Sequence, residues 1–310
     1  VYRELGSVTD AILVQAEALI AAERPCAGLA PSTLGSSPDS RPGSADGSAP
    51  AVAAATGEVR VCATYSPMVF EVDAFVLSAR AFGESGAIVE LLTARHGKYA
   101  AHVAGGASRK MKPFLQAGAQ VTVRYRARVS DQLGSAGLEP VGEGPSALFD
   151  DPLALAGLSA GAAIAAGALP EREPHSGAYE AMDALIQALA LTDLWPAVFV
   201  RFEAGLLQEL GFGLDLSKCA STGVTDDLIY VSPKTGRAVC RAAGEPYKDR
   251  MLALPPFLLS AQSRLQPGDV KAGLDLTAHF LEAFIFNPLN RPLPPARLWL
   301  VDRLSDAGRL

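Results

Sequence analysis

Cysteine and histidine are scarce, four of each in 310 residues. Cys26, Cys62, Cys219 and Cys240 are too few and too scattered for a disulfide framework in a chain of this length. His96, His102, His175 and His279 stand apart from any serine or cysteine motif that would mark a nucleophile with its base. Glycine is plentiful, but Gly105-Gly106 lacks the P-loop spacing and its Lys-Ser/Thr, and Gly211-Phe212-Gly213 follows a helical pattern rather than a strand. Asp150-Asp151 and Asp226-Asp227 read as helix-start and turn chemistry, not as a metal-ion pair. No enzyme is expected from these residues. A long membrane-type run is missing as well. Residues 153–169 are apolar, but they are mainly Ala and Gly between Asp150-Asp151 and Glu171-Arg172-Glu173, which fits a buried helix. Residues 11–22 are interrupted by Gln15 and Glu17 and follow no basic cluster, so a signal peptide is not expected and the cytosol is.

Methionine is absent before Met68. Residues 24–58 are rich in Pro, Ser, Gly and Ala, with too few large apolar groups to offset the entropy of ordering them. Residues 1–67 are therefore expected to be a disordered extension with at most a short helix at 8–23, and translation is expected to start at Met68.

What the chain does have is an uneven charge. Residues 71–129 carry nine Lys/Arg against four Asp/Glu, while residues 130–310 carry fourteen against twenty-two and the whole chain is −6. A basic module joined to an acidic one suggests a polyanion partner for the first and other partners for the second. From Val69 the pattern is that of strands. Residues 87–93 and 99–104 flank a hairpin turn at 95–98, and residues 120–129 alternate strictly, with Val121, Val123, Tyr125, Ala127 and Val129 on one face. Several short strands in about 75 residues, without intervening helices, predict a small antiparallel barrel.

After Gly144 the period becomes helical. Asp151-Pro152 opens the Ala-rich helix and Pro170 closes it; residues 179–191 form a second helix. Asp193 is expected to cap a third, with Trp195, Phe199, Phe202, Leu206 and Leu210 as its buried stripe, and Asp269 a later one carrying Val270, Leu274, Leu281 and Phe284. The fold class is thus α+β: a barrel over 68–145, then a mainly helical domain over 146–310.

The best candidate site is the polar face of the alternating strand. Arg124, Arg126 and Arg128 lie about 7 Å apart on it, a row able to follow a phosphate backbone. Arg109, Lys110 and Lys112 form a second cluster on a loop, and Arg80, Arg95 and Lys98 complete the set, with Phe82, Tyr99 and Phe114 as stacking candidates. Arginines on an exposed strand also serve simply to blunt a sheet edge. In residues 216–243 a hairpin separates Cys219 from Cys240. A structural zinc site would want two C-x-x-C pairs, but Thr222 and Ala243 hold the partner positions, so no zinc and no other cofactor is expected.

Several segments in order resemble the RecO family. They are Phe75-Val76-Leu77-Ser78, Gly83-Glu84-Ser85, Leu91-Leu92-Thr93, His96-Gly97, Val103-Ala104-Gly105-Gly106 and Asp151-Pro152. Leu210-Gly211-Phe212-Gly213-Leu214-Asp215-Leu216 runs on into Cys219, and Tyr230-Val231-Ser232-Pro233 leads to Gly236-Arg237-Ala238-Val239. The resemblance spans residues 68–298. It implies an OB barrel, a helical domain and a small zinc-finger-like insert, acting in bacterial DNA repair and recombination in the cytoplasm at the nucleoid. It further implies binding of single- and double-stranded DNA, strand annealing, and work with RecR and the single-strand-binding protein to load RecA. The family's four-cysteine site is kept here only as Cys219 and Cys240. A non-catalytic protein-interaction adaptor and an RNA-binding OB module remain the alternatives.

Overall fold

The computed structural model describes residues 68–128, 132–141, 148, 150–260 and 262–310. The extension at 1–67, with its expected helix and disorder, and Val129 lie outside these residues.

Five strands close a barrel in the order β1-β2-β3-β5-β4: β1 (Met68–Phe82), β2 (Gly86–Thr93), β3 (Gly97–Val103), β4 (Gln120–Ala127) and β5 (Gly134–Pro140). β1 serves two neighbours. Its first half pairs with β4 and its second with β2, and a register shift between Val76 and Ser78 lets it turn from one to the other. The single parallel contact, β3 with β5, completes the closure. This is an OB-like topology. Inside, Val76, Val89, Leu91, Ala101, Val121, Val123 and Tyr125 are almost fully buried.

The second part is helical. α1 (Pro152–Ala168) starts where the Asp151 carboxylate accepts the Leu153 and Ala154 N–H groups at 2.9 and 3.0 Å. It is apolar on all sides because α2 (Ser176–Leu191), α3 (Trp195–Glu209) and α5 (Pro295–Asp306) surround it. Its glycines allow the close approach: a methyl at Gly157 would meet Trp195, and one at Gly167 would meet Phe286. α4 (Asp269–Leu281) packs on α3, and a three-stranded sheet of order β7-β6-β8 joins them: β6 (Leu228–Val231), β7 (Ala238–Cys240) and β8 (Leu252–Ala253). Two expected caps fall differently. Leu194 and Gly268 occupy the cap positions, while Asp193 is engaged by Arg309 and Asp269 begins its helix. No helix among the described residues is long and apolar enough to cross a membrane.

The helical core extends onto the outer wall of the barrel. Phe75, Leu77 and Leu92 point outward from the barrel and are buried among the helices, the Phe75 ring 4.7 Å from that of Tyr179. Burying each such side chain contributes roughly 1.5–3 kcal/mol. The helices therefore cover one end of the barrel's outer face and leave the other open.

Candidate nucleic-acid interface

The alternation of β4 sets its chemistry. Val121, Val123, Tyr125 and Ala127 fill the barrel, so Arg124, Arg126 and Arg128 are exposed. The row is not uniformly free, because its acids come from the neighbouring strands. Arg124 Nε lies 3.0 Å from Glu71 on β1, and its Nη1 lies 2.8 Å from Glu139 on β5. Hydrogen bonding to Glu71, then the charges of Glu139 and Glu71, raise the Arg124 pKa. Such an exposed pair is screened by water and exchanges readily with other anions. Arg126 stands between Val69 and Ser135 with no acid directly opposite.

Register carries this line round the barrel. Arg126 is opposite Ser135, Ser135 opposite His102, His102 opposite Ile88, and Ile88 opposite Arg80. Directly opposed residues share a face, so these five positions line up on the side turned away from the barrel interior, four strand spacings or about 19 Å in arc, although Ile88 in the middle of the line is buried at 8% exposure. Phe82 shares the Arg80 face of β1 and is 50% exposed. The His102 ring stands edge-on to it, centroids 5.7 Å apart at 71°. Gly86 makes this possible, since a Cβ there would collide with the imidazole.

The loop after β3 emerges at the same end. Ala107 N–H donates to the Ser85 carbonyl at 3.0 Å, tying it to the β1–β2 turn, and Ser108 N–H to Gly105 and Met111 N–H to Ser108 fold it into successive turns. Gly105, at φ 70°, supplies the left-handed residue. Arg109, Lys110 and Lys112 are exposed on this loop, and Phe114 is half-buried beside them.

Two of the basic candidates lie elsewhere. Arg95 is exposed on the β2–β3 turn, at the far end of β2 from Gly86. Lys98 corrects the expectation of a solvent-facing cation: it is 7% exposed, and its Nζ donates to the Ala166 carbonyl of α1. Burial lowers its pKa, partly opposed by Glu90 and Glu171. Tyr99 also leaves the stacking set, because it lies in the barrel against Phe70 and Tyr125. His102 is the residue that sequence reasoning passed over. Its link to Phe82 exists only through the β1–β2–β3 register, which no local signal encodes.

The cysteine pair is brought together without a metal-binding donor set. Cys240 N–H donates to Cys219 Sγ at 3.3 Å, and the Thr222 hydroxyl lies 3.6 Å from Cys240 Sγ. Burial raises the Cys219 pKa. Donors from the Cys240 backbone, the Thr222 hydroxyl and the Thr222 and Ser221 backbones outweigh it and bring the thiol down to about 6. Zinc needs four ligands, and a threonine hydroxyl and an alanine methyl do not complete two thiolates. Among the described residues, no group of three or more His, Cys, Asp or Glu is placed to hold a metal ion. The residues do not fit a zinc centre.

Comparison with known proteins agrees with this architecture. The chain matches the family model described as Recombination protein O N terminal over residues 68–137, and that described as Recombination protein O C terminal over residues 150–292. It is 79% identical over 243 residues to the DNA repair protein RecO of Phenylobacterium zucineum (strain HLK1), covering 78% of this chain and 100% of the relative. The RecO of Caulobacter sp. (strain K31) is 72% identical over the same shares. That of Rhodospirillum centenum (strain ATCC 51521 / SW) is 49% identical, covering 76% of this chain and 94% of the relative.

Proposed function

The chain belongs to the RecO family of DNA repair proteins, and from that premise we propose that it binds single- and double-stranded DNA on the open end of its barrel, anneals complementary strands, and with RecR helps load RecA onto DNA coated by the single-strand-binding protein. It is a mediator rather than an enzyme, acting in the bacterial cytoplasm at the nucleoid. One observation carries the DNA part. In a chain of net charge −6, Arg80, Arg109, Lys110, Lys112, Arg126 and Arg128 are exposed on the part of the barrel that the helices leave open. Lys/Arg contacts displace the counterions condensed on DNA, so binding is favoured by ion release and falls with salt. Neutralising two strands at once lowers the repulsion that opposes their pairing.

The test is annealing of complementary oligonucleotides, bare and coated with single-strand-binding protein, with and without RecR. Acceleration on coated strands supports the mediator. DNA binding gives a second measure: Arg126→Ala with Arg128→Ala is expected to lower the single-strand salt slope by about 1.4, at ~0.7 per lost phosphate contact. An unchanged slope removes these residues from the site. The adaptor reading draws on α5, where Leu298 and Trp299 are 49% and 66% exposed. It would be preferred if partners are captured by a protein with no DNA affinity. Preference for RNA would favour the RNA-binding module.

A further inference from the structure

We propose that Cys219 and Cys240 are a redox-active pair, converted by a peroxide into a disulfide that locks the knuckle, and by a thiol reductant back into two cysteines. The proposal stands apart from the DNA-binding reading above.

The backbone already holds the two residues side by side. Ala238 N–H donates to the Asp215 carbonyl at 2.9 Å and Ala220 N–H to the Ala238 carbonyl at 2.8 Å, so the chain is laced to β7 on both sides of Cys219. Cys240, the last residue of β7, donates its N–H to Cys219 Sγ at 3.3 Å. The Thr222 hydroxyl lies 3.6 Å from Cys240 Sγ and is also hydrogen-bonded to Cys219, so one oxygen touches both sulfurs. Both cysteines are free and buried. A disulfide brings the Cβ atoms to about 3.8 Å and the sulfurs to about 2.05 Å. With the backbones pinned, the closing movement is a rotation of side chains in which the Thr222 hydroxyl gives way.

The two thiols are not equivalent. Cys219 Sγ accepts from the Cys240, Thr222 and Ser221 backbones as well as from the Thr222 hydroxyl, and these donors favour the thiolate, which is the reactive form. Its cover is one turn, closed by Cys219 N–H to Val224 at 2.7 Å and Gly223 N–H to Cys219 at 2.9 Å, and residues 220–227 are all exposed. Opening that turn admits a molecule as small as hydrogen peroxide.

The Cys219 thiolate attacks one peroxide oxygen, the O–O bond breaks, and hydroxide leaves and takes a proton from solvent. Cys219 is then a sulfenic acid. The Cys240 thiol attacks that sulfur, the S–O bond breaks, and the departing hydroxide takes the Cys240 proton and leaves as water. Two thiols and one peroxide thus become a disulfide and two waters, the sulfurs oxidised and the peroxide reduced. The new bond joins residues 21 apart around the whole β6–β7 hairpin, which restricts the unfolded chain and stabilises the folded one.

The experiment treats full-length protein carrying Cys26→Ser and Cys62→Ser with hydrogen peroxide and follows intact mass, peptide maps without reductant, and melting temperature. The expected product is lighter by two hydrogens, has Cys219 and Cys240 in one cross-linked pair of peptides, and melts roughly 5 °C higher. Dithiothreitol is expected to reverse all three changes. The oxidation rate should rise with pH to a plateau, with its midpoint at about 6. Cys240→Ser is expected to stop at a sulfenic acid that dimedone traps on Cys219, and Cys219→Ser to lose the fast reaction. Each of these variants replaces a buried thiol, so the cross-link, which needs neither, is the deciding result. Oxidation of Cys219 to sulfinic acid without a cross-link overturns the proposal. So do thiols that stay reduced at a peroxide concentration that oxidises the urea-unfolded chain. An unchanged rate in Cys219→Ser overturns the choice of Cys219 as the attacking thiol.

Discussion

Among single residues, the largest energetic stake is a buried ion pair in the helical part. Glu203 on α3 and Arg297 on α5 are 0% and 3% exposed. Arg297 Nε and Nη2 donate to the two Glu203 oxygens at 2.6 and 2.9 Å, and Nη2 also donates to the Leu274 carbonyl at 2.8 Å. Thr277 on α4 donates its hydroxyl to Glu203 Oε2 at 2.5 Å, so three helices meet on one carboxylate. Burial acts to lower the Arg297 pKa, and the Glu203 charge and hydrogen bonds outweigh it, leaving the guanidinium more firmly protonated than usual. Removing one partner strands the other charge in an apolar core. Arg297→Met is expected to cost about 3–5 kcal/mol in urea unfolding, and Glu203→Met combined with Arg297→Met to recover most of it. A single variant as stable as the parent would mean that water reaches the carboxylate. The pair was not legible in the sequence. Its members are 94 residues apart, and Glu203 sits within an otherwise apolar helix stripe.

The cysteine knuckle shows how one element packs around two cysteines that are not enough to hold a metal ion. The turn after Cys219 and the start of the helical turn Arg241–Gly244 still converge, because Cys240 caps that turn and position 243 lies three residues into it. Hydrogen bonds to the two sulfurs hold the turns together. Thr222→Cys with Ala243→Cys is accordingly expected to bind one zinc ion per chain by metal analysis and to raise the melting temperature, an increase that a chelator reverses. Failure to bind would mean that the two turns are splayed too far for a tetrahedral site. In the parent, thiolate absorbance should appear with a midpoint near pH 6, and Thr222→Val should move it up. The folded thiol is depressed below its ordinary value, so the unfolded chain holds the extra proton between about pH 6 and 9. Stability from this group is complete above that window and is lost as pH falls through 6. Elements like these were readable where periodicity is local. The alternation of residues 120–127 and the Asp151-Pro152 start of α1 needed no distant partner. The caps expected at Asp193 and Asp269 missed by a residue, because the cap is the residue at which the backbone enters the helix, and Leu194 and Gly268, at φ 88° in the latter case, hold that position.

On the scale of the whole molecule, the junction between barrel and helices decides which cations are left for DNA, and the sequence carries no local sign of it. Lys98 follows a turn in a basic stretch, which reads as a surface cation. α1 ends before Pro170, which has no N–H to give to the Ala166 carbonyl four residues earlier. Lys98 Nζ fills that vacancy from across the junction, placing a cation at a helix C-terminus. The backbone joins in: Arg172 N–H donates to the Lys98 carbonyl at 2.8 Å, and Gly97, at φ 75°, lies so close to the Glu173 carbonyl that a Cβ would collide with it. Lys98→Met should therefore cost about 1–3 kcal/mol of stability by leaving a buried carbonyl without a donor, while the salt slope of DNA binding stays the same. A slope lowered by ~0.7 would instead return Lys98 to the DNA face. Gly97→Ala strikes the junction harder, through both its backbone strain and the collision with Glu173. The two tryptophans, Trp195 and Trp299, both belong to the helical part, so their fluorescence follows that part alone, whereas oligonucleotide anisotropy follows the barrel. With Phe75, Leu77 and Leu92 of the barrel strands buried in the helical core, the parent should lose both signals in one urea transition. Gly97→Ala should separate them, the barrel signal going first because the barrel alone loses its outer cover. Coincident midpoints in the variant would show that the shared apolar contacts hold the two parts together without the backbone junction.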